Sequence, residues 1–280
     1  MTRSSEIVEN PWLASRLKEK EVNELIYEAT NVMEGEAPYF EVEGERVIFV
    51  GDTHGDLPST VAAVKKFLSS GHDLLIFLGD YVDRGPYQIE NIVELMHAKV
   101  EEPSKIILLR GNHETPSMNF GYGFYDVVSR RFGRGAYGIF AEVFAHLPLA
   151  CIINDRMLLL HGGIPDNITR IEDIESIKRP EEEVTDPVAF QILWNDPTYY
   201  IDEFSSSPRG VGAKLFGRKA LIRFLQTNNL EILIRAHEPV SKGYEYMFDK
   251  KLLTIFSCRY YGIKPCSARI KNNTINIQYL

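Results

Sequence analysis

"VIFVGDTHGDLPSTVAAVKKFLSSGHDLLIFLGDYVDRG", residues 47–85, contains two apolar runs of the same design. Each is short, rich in β-branched and large apolar residues, and ends abruptly in Gly-Asp. A continuous apolar run of this length argues for a strand buried on both faces. Between the two runs, Val61, Val64, Phe67 and Leu68 share one side of a predicted helix over 59–69. Strand, helix and strand in that order predict a parallel pair.

The design recurs along the chain. "IILLRGN" (106–112), "MLLLHGG" (157–163) and "EILIRAH" (231–237) also run apolar and stop in a polar group. A second helix is predicted over 87–100, with Ile89, Ile92, Val93 and Met96 aligned. The first three strands and their helices predict βαβαβ, hence an α/β fold with a largely parallel sheet. Upstream, residues 14–34 read as one amphipathic helix, with Val22, Leu25, Ile26, Ala29, Val32 and Met33 on its apolar face. "YFEVEGERVIFVG" (39–51) predicts a hairpin turning at Glu43-Gly44. Downstream, 244–257 and 268–279 read as strands of a hairpin-rich region, able to contribute to a second sheet. The acidic, proline-punctuated segment 165–190 reads as surface helix and loop, with Glu181, Glu182 and Glu183 on a solvated face. No repeat or long linker divides the chain, so one catalytic domain over 1–280 is expected.

Composition narrows the function classes. Of 280 residues, 44% are hydrophobic, enough for a large core. A net charge of −8 argues against a broad nucleic-acid-binding face, while leaving room for a local basic pocket. No apolar stretch approaches membrane-spanning length, and the first ten residues lack the apolar core of a signal peptide. Cys151, Cys258 and Cys266 show no zinc-like or redox spacing. They are expected to be reduced packing residues of a cytoplasmic protein.

In parallel α/β folds, ligands bind beyond the carboxyl ends of the strands. Here those ends carry Asp52, Asp80, Asn112, His161 and His237, with His54 two residues beyond Asp52. Singly, a histidine there is more often structural and an aspartate after glycine more often a turn residue. Repetition at five strand ends favours a shared site. His72, His97 and His146 lack such company and read as structural or surface residues. Carboxylate, amide and imidazole donors suit Mn, Fe or Zn. Six donors exceed what one tetrahedral ion needs and fit two ions about 3.5–4 Å apart, bridged by a carboxylate. Gly51, Gly79, Gly111 and Gly162 would let the backbone approach them.

Beside these candidates lie groups suited to phosphate chemistry. His113, next to Asn112, would point elsewhere and is a candidate general acid. Asp83 is a candidate to orient it. Arg84 offers a planar fork for phosphate oxygens, and Arg209, in a glycine-containing loop, a second clamp.

"GDTHGD", "GDYVDRGP", "RGNHE", "LLHGGIPD", "LWNDP", "RGVGAKLFG", "RAHEPVSKGYEY" and "LLTIFS" together resemble the phosphoprotein phosphatase (PPP) family of serine/threonine protein phosphatases. This family belongs to the calcineurin-like metallophosphoesterases. The ordered set runs from about residue 22 to the end. The short, tail-free form resembles prokaryotic members, archaeal ones among them. The resemblance implies two mixed β-sheets in a sandwich flanked by helices, a four-layer α/β/β/α fold. It implies two divalent ions, with Asp52 and His54 on the first, Asp80 bridging, and Asn112, His161 and His237 on the second. Manganese is expected to serve in vitro, with iron or zinc as alternatives. His113 and Asp83 would form the catalytic pair. Arg84 and Arg209 would hold the phosphoryl oxygens, with Asn112 assisting. The expected reaction is in-line attack on a phosphoseryl or phosphothreonyl protein by a hydroxide bridging the ions, without a phosphoenzyme.

Two local departures bear on the site. Where eukaryotic members carry "SAPNYCG", this chain has "SCRYYGI". Counted from Ser257, the family tyrosine is Tyr261; counted back from Gly262, it is Tyr260; Tyr261 is favoured. The cysteine that follows it in many members is missing. Pro208 stands where aspartate often precedes the Arg-Gly. The chain ends at Leu280, so no regulatory tail is expected, and no regulatory subunit is assigned. The alternatives are a small-molecule phosphoesterase, such as a diadenosine tetraphosphate hydrolase, and an inactive scaffold of the same fold.

Overall fold

Two β-sheets lie face to face in the computed structural model, which describes residues 6, 9–271 and 274–280. After a 3-10 turn at Pro11–Arg16 come α1 (Glu19–Glu34), β1 (Tyr39–Val42), β2 (Val47–Val50), α2 (Leu57–Ser70), β3 (Leu74–Phe77), α3 (Gln88–Glu101) and β4 (Ile106–Leu108). Three helices follow: α4 (Pro116–Tyr122), α5 (Phe124–Phe132) and α6 (Gly138–Ala145). Then come β5 (Ala150–Ile153), β6 (Met157–Leu160), α7 (Pro187–Trp194), β7 (Asp196–Pro197), β8 (Phe204–Ser206), β9 (Lys214–Phe216) and α8 (Arg218–Thr227). The chain closes with β10 (Ile232–Arg235), β11 (Tyr244–Met247), β12 (Leu252–Ile255), β13 (Cys266–Lys271) and β14 (Thr274–Tyr279).

One sheet has the order β14-β13-β2-β3-β4, and its β2, β3 and β4 are parallel, as βαβαβ requires. The other runs β1-β5-β6-β10-β12-β11 and is mixed. A small third sheet, β7-β9-β8, stands apart. Successive strand residues face opposite sides, and this sorts the core into three layers. Phe49, Ile76, Leu159 and Ile234 meet between the two sheets. Val50 and Phe77 face α1, α3 and α6, while Leu160 and Leu233 face α7 and α8. The sandwich is therefore α/β/β/α, as the resemblance implied. No helix among the described residues is long and apolar enough to cross a membrane.

Several local expectations change. Glu43-Gly44 is not a hairpin turn: β1 pairs with β5 in one sheet and β2 with β3 in the other. The link crosses the sandwich, and the Asn154 side chain bonds both the N–H and the carbonyl of Gly44, each at 2.9 Å. Two apolar runs around a glycine look the same whether they pair together or part.

The helix expected over 14–34 is broken at Leu17, whose backbone is extended. Nη2 of Arg131 donates to the carbonyls of Ala14, Ser15 and Leu17, which a continuous helix would satisfy internally. Val32 is only partly buried, and Leu68 is 43% exposed rather than on the buried side of α2. The two C-terminal strand regions separate: β11 and β12 join β10, whereas β13 and β14 edge the sheet of β2. Within the second region, Asn272 and Asn273 lie outside the described residues. So do residues 1–5, 7 and 8 of the segment read for a signal peptide.

Segment 165–190 forms a 3-10 turn at Ile171–Ser176 and leads into α7. Glu182 and Glu183 are exposed as expected, but the carbonyls of Glu181 and Glu182 accept bonds from buried Arg110.

Candidate active site

The carboxyl ends of both sheets meet at one edge of the sandwich. Asp52 and His54 follow β2, Asp80 follows β3, Asn112 follows β4, His161 follows β6 and His237 follows β10. All six are buried. Two contacts join the sheets here: His237 N–H donates to Asp52 Oδ1 at 2.9 Å, and Ser257 N–H donates to the Asp52 carbonyl at 3.1 Å.

The backbone is bent hard to achieve this. His54, Asp80, Asp83, Arg84 and His237 all hold left-handed φ angles between 42° and 71°. Such angles are unfavourable for non-glycine residues and gather at functional sites. A Cβ on Gly111 would lie 2.3 Å from Asp80 Oδ1, so glycine is what allows β4 to reach that carboxylate.

The donor atoms converge around Asp80. His54 Nε2 lies 3.5 Å from its Oδ2 and His161 Nε2 lies 3.3 Å from its Oδ1. Asn112 Oδ1 and His237 Nδ1 lie 3.0 and 3.1 Å from His161 Nε2. Asp52 Oδ2 is 3.8 Å from His54 Nε2. Asp80 belongs to two sets of mutually close ligand atoms, one with His54 and His113, the other with His161 and His237.

The chemistry of this set fits divalent cations. Nδ1 of His54 faces the Val82 carbonyl and Nδ1 of His161 faces the Leu78 carbonyl, each at 2.8 Å. A proton on each Nδ1 leaves the Nε2 lone pair directed at Asp80, the tautomer a metal-binding histidine needs. Carboxylate, amide and imidazole groups crowd around Asp80, and Asp52 Oδ2 and His237 Nε2 are buried without a hydrogen-bond partner. Such a set calls for positive charge.

Proton affinities express the same need. Burial, aided by the Asp80 charge, lifts the Asp52 carboxyl to about 7. His161 rises to about 9: burial opposes the charged ring, but neighbouring Asp80 outweighs it. His54, with burial dominant, falls to about 3. The rises at Asp52 and His161 are in the direction that a buried site short of positive charge produces.

A second layer of groups lies at the cavity wall. His113 Nδ1 is 2.7 Å from Asp83 Oδ2. Asp83 is fixed in turn: Asn119 Nδ2 donates to Oδ2 and the Phe124 N–H to Oδ1, both at 2.9 Å. Burial opposes charge on His113, but Asp80 and the Asp83 bond raise its proton affinity above the ordinary value. A cavity of about 190 Å³ is lined by Asp52, His54, Asp80, Asn112, His113 and His237 together with Arg84, Arg209 and Tyr261. Arg84 is exposed and stacks over the Tyr122 ring, 4.2 Å from its centroid. Arg209 is held by Asp196, which also accepts from fully buried Arg235 at 2.9 Å. Of the two tyrosines, Tyr261 lines the cavity and stacks on His54, whereas Tyr260 is 44% exposed and does not line it. His161 lies just behind, against Asp80.

Several supporting residues escaped sequence reasoning. Glu114, inside "RGNHE", accepts the N–H groups of Asp80, Gly111 and Tyr81 at 2.8–2.9 Å. Its adjacency to His113 was the available signal. Asp196, inside "LWNDP", carried a similar one. Asn119 and Tyr122 carried none, because only the fold brings them to the loop after β3.

Comparison with known proteins gives the family. Residues 45–241 match the calcineurin-like phosphoesterase family. The serine/threonine-protein phosphatase 4 catalytic subunit of Kluyveromyces lactis is 36% identical over 93% of this chain and 84% of its own length. That of Saccharomyces cerevisiae is 38% identical over 85% of this chain and 74% of its own. A solved serine/threonine phosphatase from Saccharomyces cerevisiae, with similarity to human phosphatase PP5, superposes with a TM-score of 0.87. It is 28% identical, over 99% of this chain and 94% of that one. A cold-active protein-tyrosine phosphatase of a Shewanella species shares the fold, with a TM-score of 0.64 at 17% identity over 89% of this chain and 84% of its own. By family match, by identity over most of both chains and by fold, the chain belongs to the PPP family of serine/threonine protein phosphatases within the calcineurin-like phosphoesterases.

Proposed function

We propose that this protein hydrolyses phosphoserine and phosphothreonine monoesters in proteins by direct transfer of the phosphoryl group to water. The observation that carries the reading is the position of Asp80, shared between two sets of buried ligand atoms with the His113–Asp83 pair directly beside it. Asp52, His54, Asp80, Asn112, His161 and His237 would hold two divalent cations, and the mixed donor set suits manganese, iron or zinc. When bound, such ions acidify water near neutral pH and neutralise phosphoryl charge.

The chain's own residues do the rest. Arg84 and Arg209 hold the phosphoryl oxygens, and their planar forks stabilise charge that spreads over them in the transition state. Asn112 assists at the same oxygens. Tyr261 forms the wall beside His54. His113 donates a proton from Nε2 to the seryl or threonyl oxygen as it leaves, a contribution of about 10²–10⁴-fold. Asp83 fixes the ring through Nδ1 and stabilises its protonated form. The whole chain acts as one catalytic unit, and its buried, unpaired cysteines suit a reducing, cytoplasmic setting.

The test is a side-by-side assay with added Mn²⁺ on a phosphoseryl/threonyl protein, a phosphotyrosyl peptide and diadenosine tetraphosphate. The highest kcat/KM is expected on the phosphoprotein. Preference for the dinucleotide would replace this reading with a small-molecule phosphoesterase.

A further inference from the structure

Arg259 lies outside the cavity wall, yet its side chain and backbone both reach the loop that follows β2. Its N–H and its Nε donate to Asp56 Oδ2 at 2.8 and 2.9 Å, and Nη2 donates to Ser59 Oγ at 3.1 Å. Asp56 is fully buried and fixed. It caps α2, accepting the Ser59 N–H at 3.1 Å and the Ser59 hydroxyl at 2.8 Å. Asp56 lies two residues beyond His54, so the Arg259 anchor is the ligand loop itself.

The turn held by this anchor carries Tyr261. Arg259–Tyr261 is one 3-10 turn, closed by the Gly262 N–H on the Arg259 carbonyl at 3.1 Å. The Tyr261 ring stacks on His54 at 27° with centroids 5.7 Å apart and meets Phe256 edge-on at 5.0 Å. Before the turn, Ser257 is tied to Asp52 and Gly51. After it, Gly262 and Lys264 are exposed. Arg259 is therefore the point at which the Tyr261 turn is fastened on its outer side.

We infer that Arg259 is a positioning residue for phosphoester hydrolysis: its bidentate hold on Asp56 keeps Tyr261 against His54 and so sets the wall of the phosphate site. Arg259 is 40% exposed at its side chain, so the ion pair by itself contributes little to stability. Its effect lies in the geometry of the turn, which sets how the wall meets the phosphoryl group.

The inference rests on the phosphatase reading, and a double-mutant cycle separates the two. Wild-type turnover of a phosphoseryl protein tests that reading; the cycle tests only the tether. Arg259→Ala is expected to lower kcat/KM about fivefold, mostly through KM. It should weaken inhibition by inorganic phosphate in parallel, with manganese content unchanged. In a Tyr261→Ala background, the same substitution is expected to change kcat/KM less than about twofold, because residues that act as a unit are not additive. Arg259→Lys keeps a cation beside Asp56 and should recover most of the loss, while Arg259→Met, which keeps the stem and removes the guanidinium, replaces alanine in the cycle if that variant does not fold. Equal losses in both backgrounds, or wild-type kinetics for Arg259→Ala, would overturn the inference.

Discussion

Nδ1 of His113 lies 2.7 Å from Oδ2 of Asp83, with both side chains buried and Asp83 held by Asn119 and the Phe124 N–H. The two acids of "GDYVDRG" thus face different partners. Asp80 turns to the ligand cluster and Asp83 to an imidazole. Each relationship can be broken alone.

His113→Asn should keep the cation sites, because the six proposed ligands are untouched, while kcat falls by about 10²–10⁴-fold. Turnover and metal content measured on the same preparation check this. Turnover near wild type would remove the general-acid role.

Asp80→Asn should lower metal content, since an amide offers one neutral oxygen where a carboxylate offers two charged ones. Elemental analysis after dialysis is the measurement. Full occupancy of both sites would count against a bridging role.

Glu114→Gln should destabilise the fold by about 1–3 kcal/mol, because one N–H now bound by a carboxylate oxygen would face an amide N–H₂. Denaturant unfolding reads this directly. Activity should fall as well, as Glu114 fixes the backbone of Asp80 and Gly111 at the centre of the site.

Removal of divalent ions with a chelator should abolish activity and lower Tm, with Mn²⁺ restoring both in a concentration-dependent manner. The sign follows from linkage: a cation that binds only the folded cluster stabilises it by RT ln(1 + [L]/Kd). A Tm indifferent to Mn²⁺ would contradict the cation site.

Much of the fold was legible locally. Strands buried on both faces advertise themselves as unbroken apolar runs, and α2 and α3 lie within two residues of their expected bounds. The six candidate ligands were legible for the same reason, since each sits at a strand end and meets the others there. What failed was a statement about pairing. Glu43-Gly44 joins two sheets instead of closing a hairpin, whereas the C-terminal runs do form the hairpins β11–β12 and β13–β14, one in each sheet. Strand partners are chosen by side chains far away in sequence, and no local pattern encodes that choice.

By itself the sequence determined the strands of the βαβαβ core, the two helices between them and the polar groups at the strand ends, because periodicity and strand termination are local properties. Only the tertiary structure decided the rest. It separated Tyr261 from Tyr260 at the cavity wall, placed Asp196 against Arg209, and joined Arg259 to Asp56 across 203 residues. The contacts of Tyr261 and Arg259 with the loop after β2 depend on how two sheets face one another, which is settled by the packing of the layer between them rather than by any segment alone.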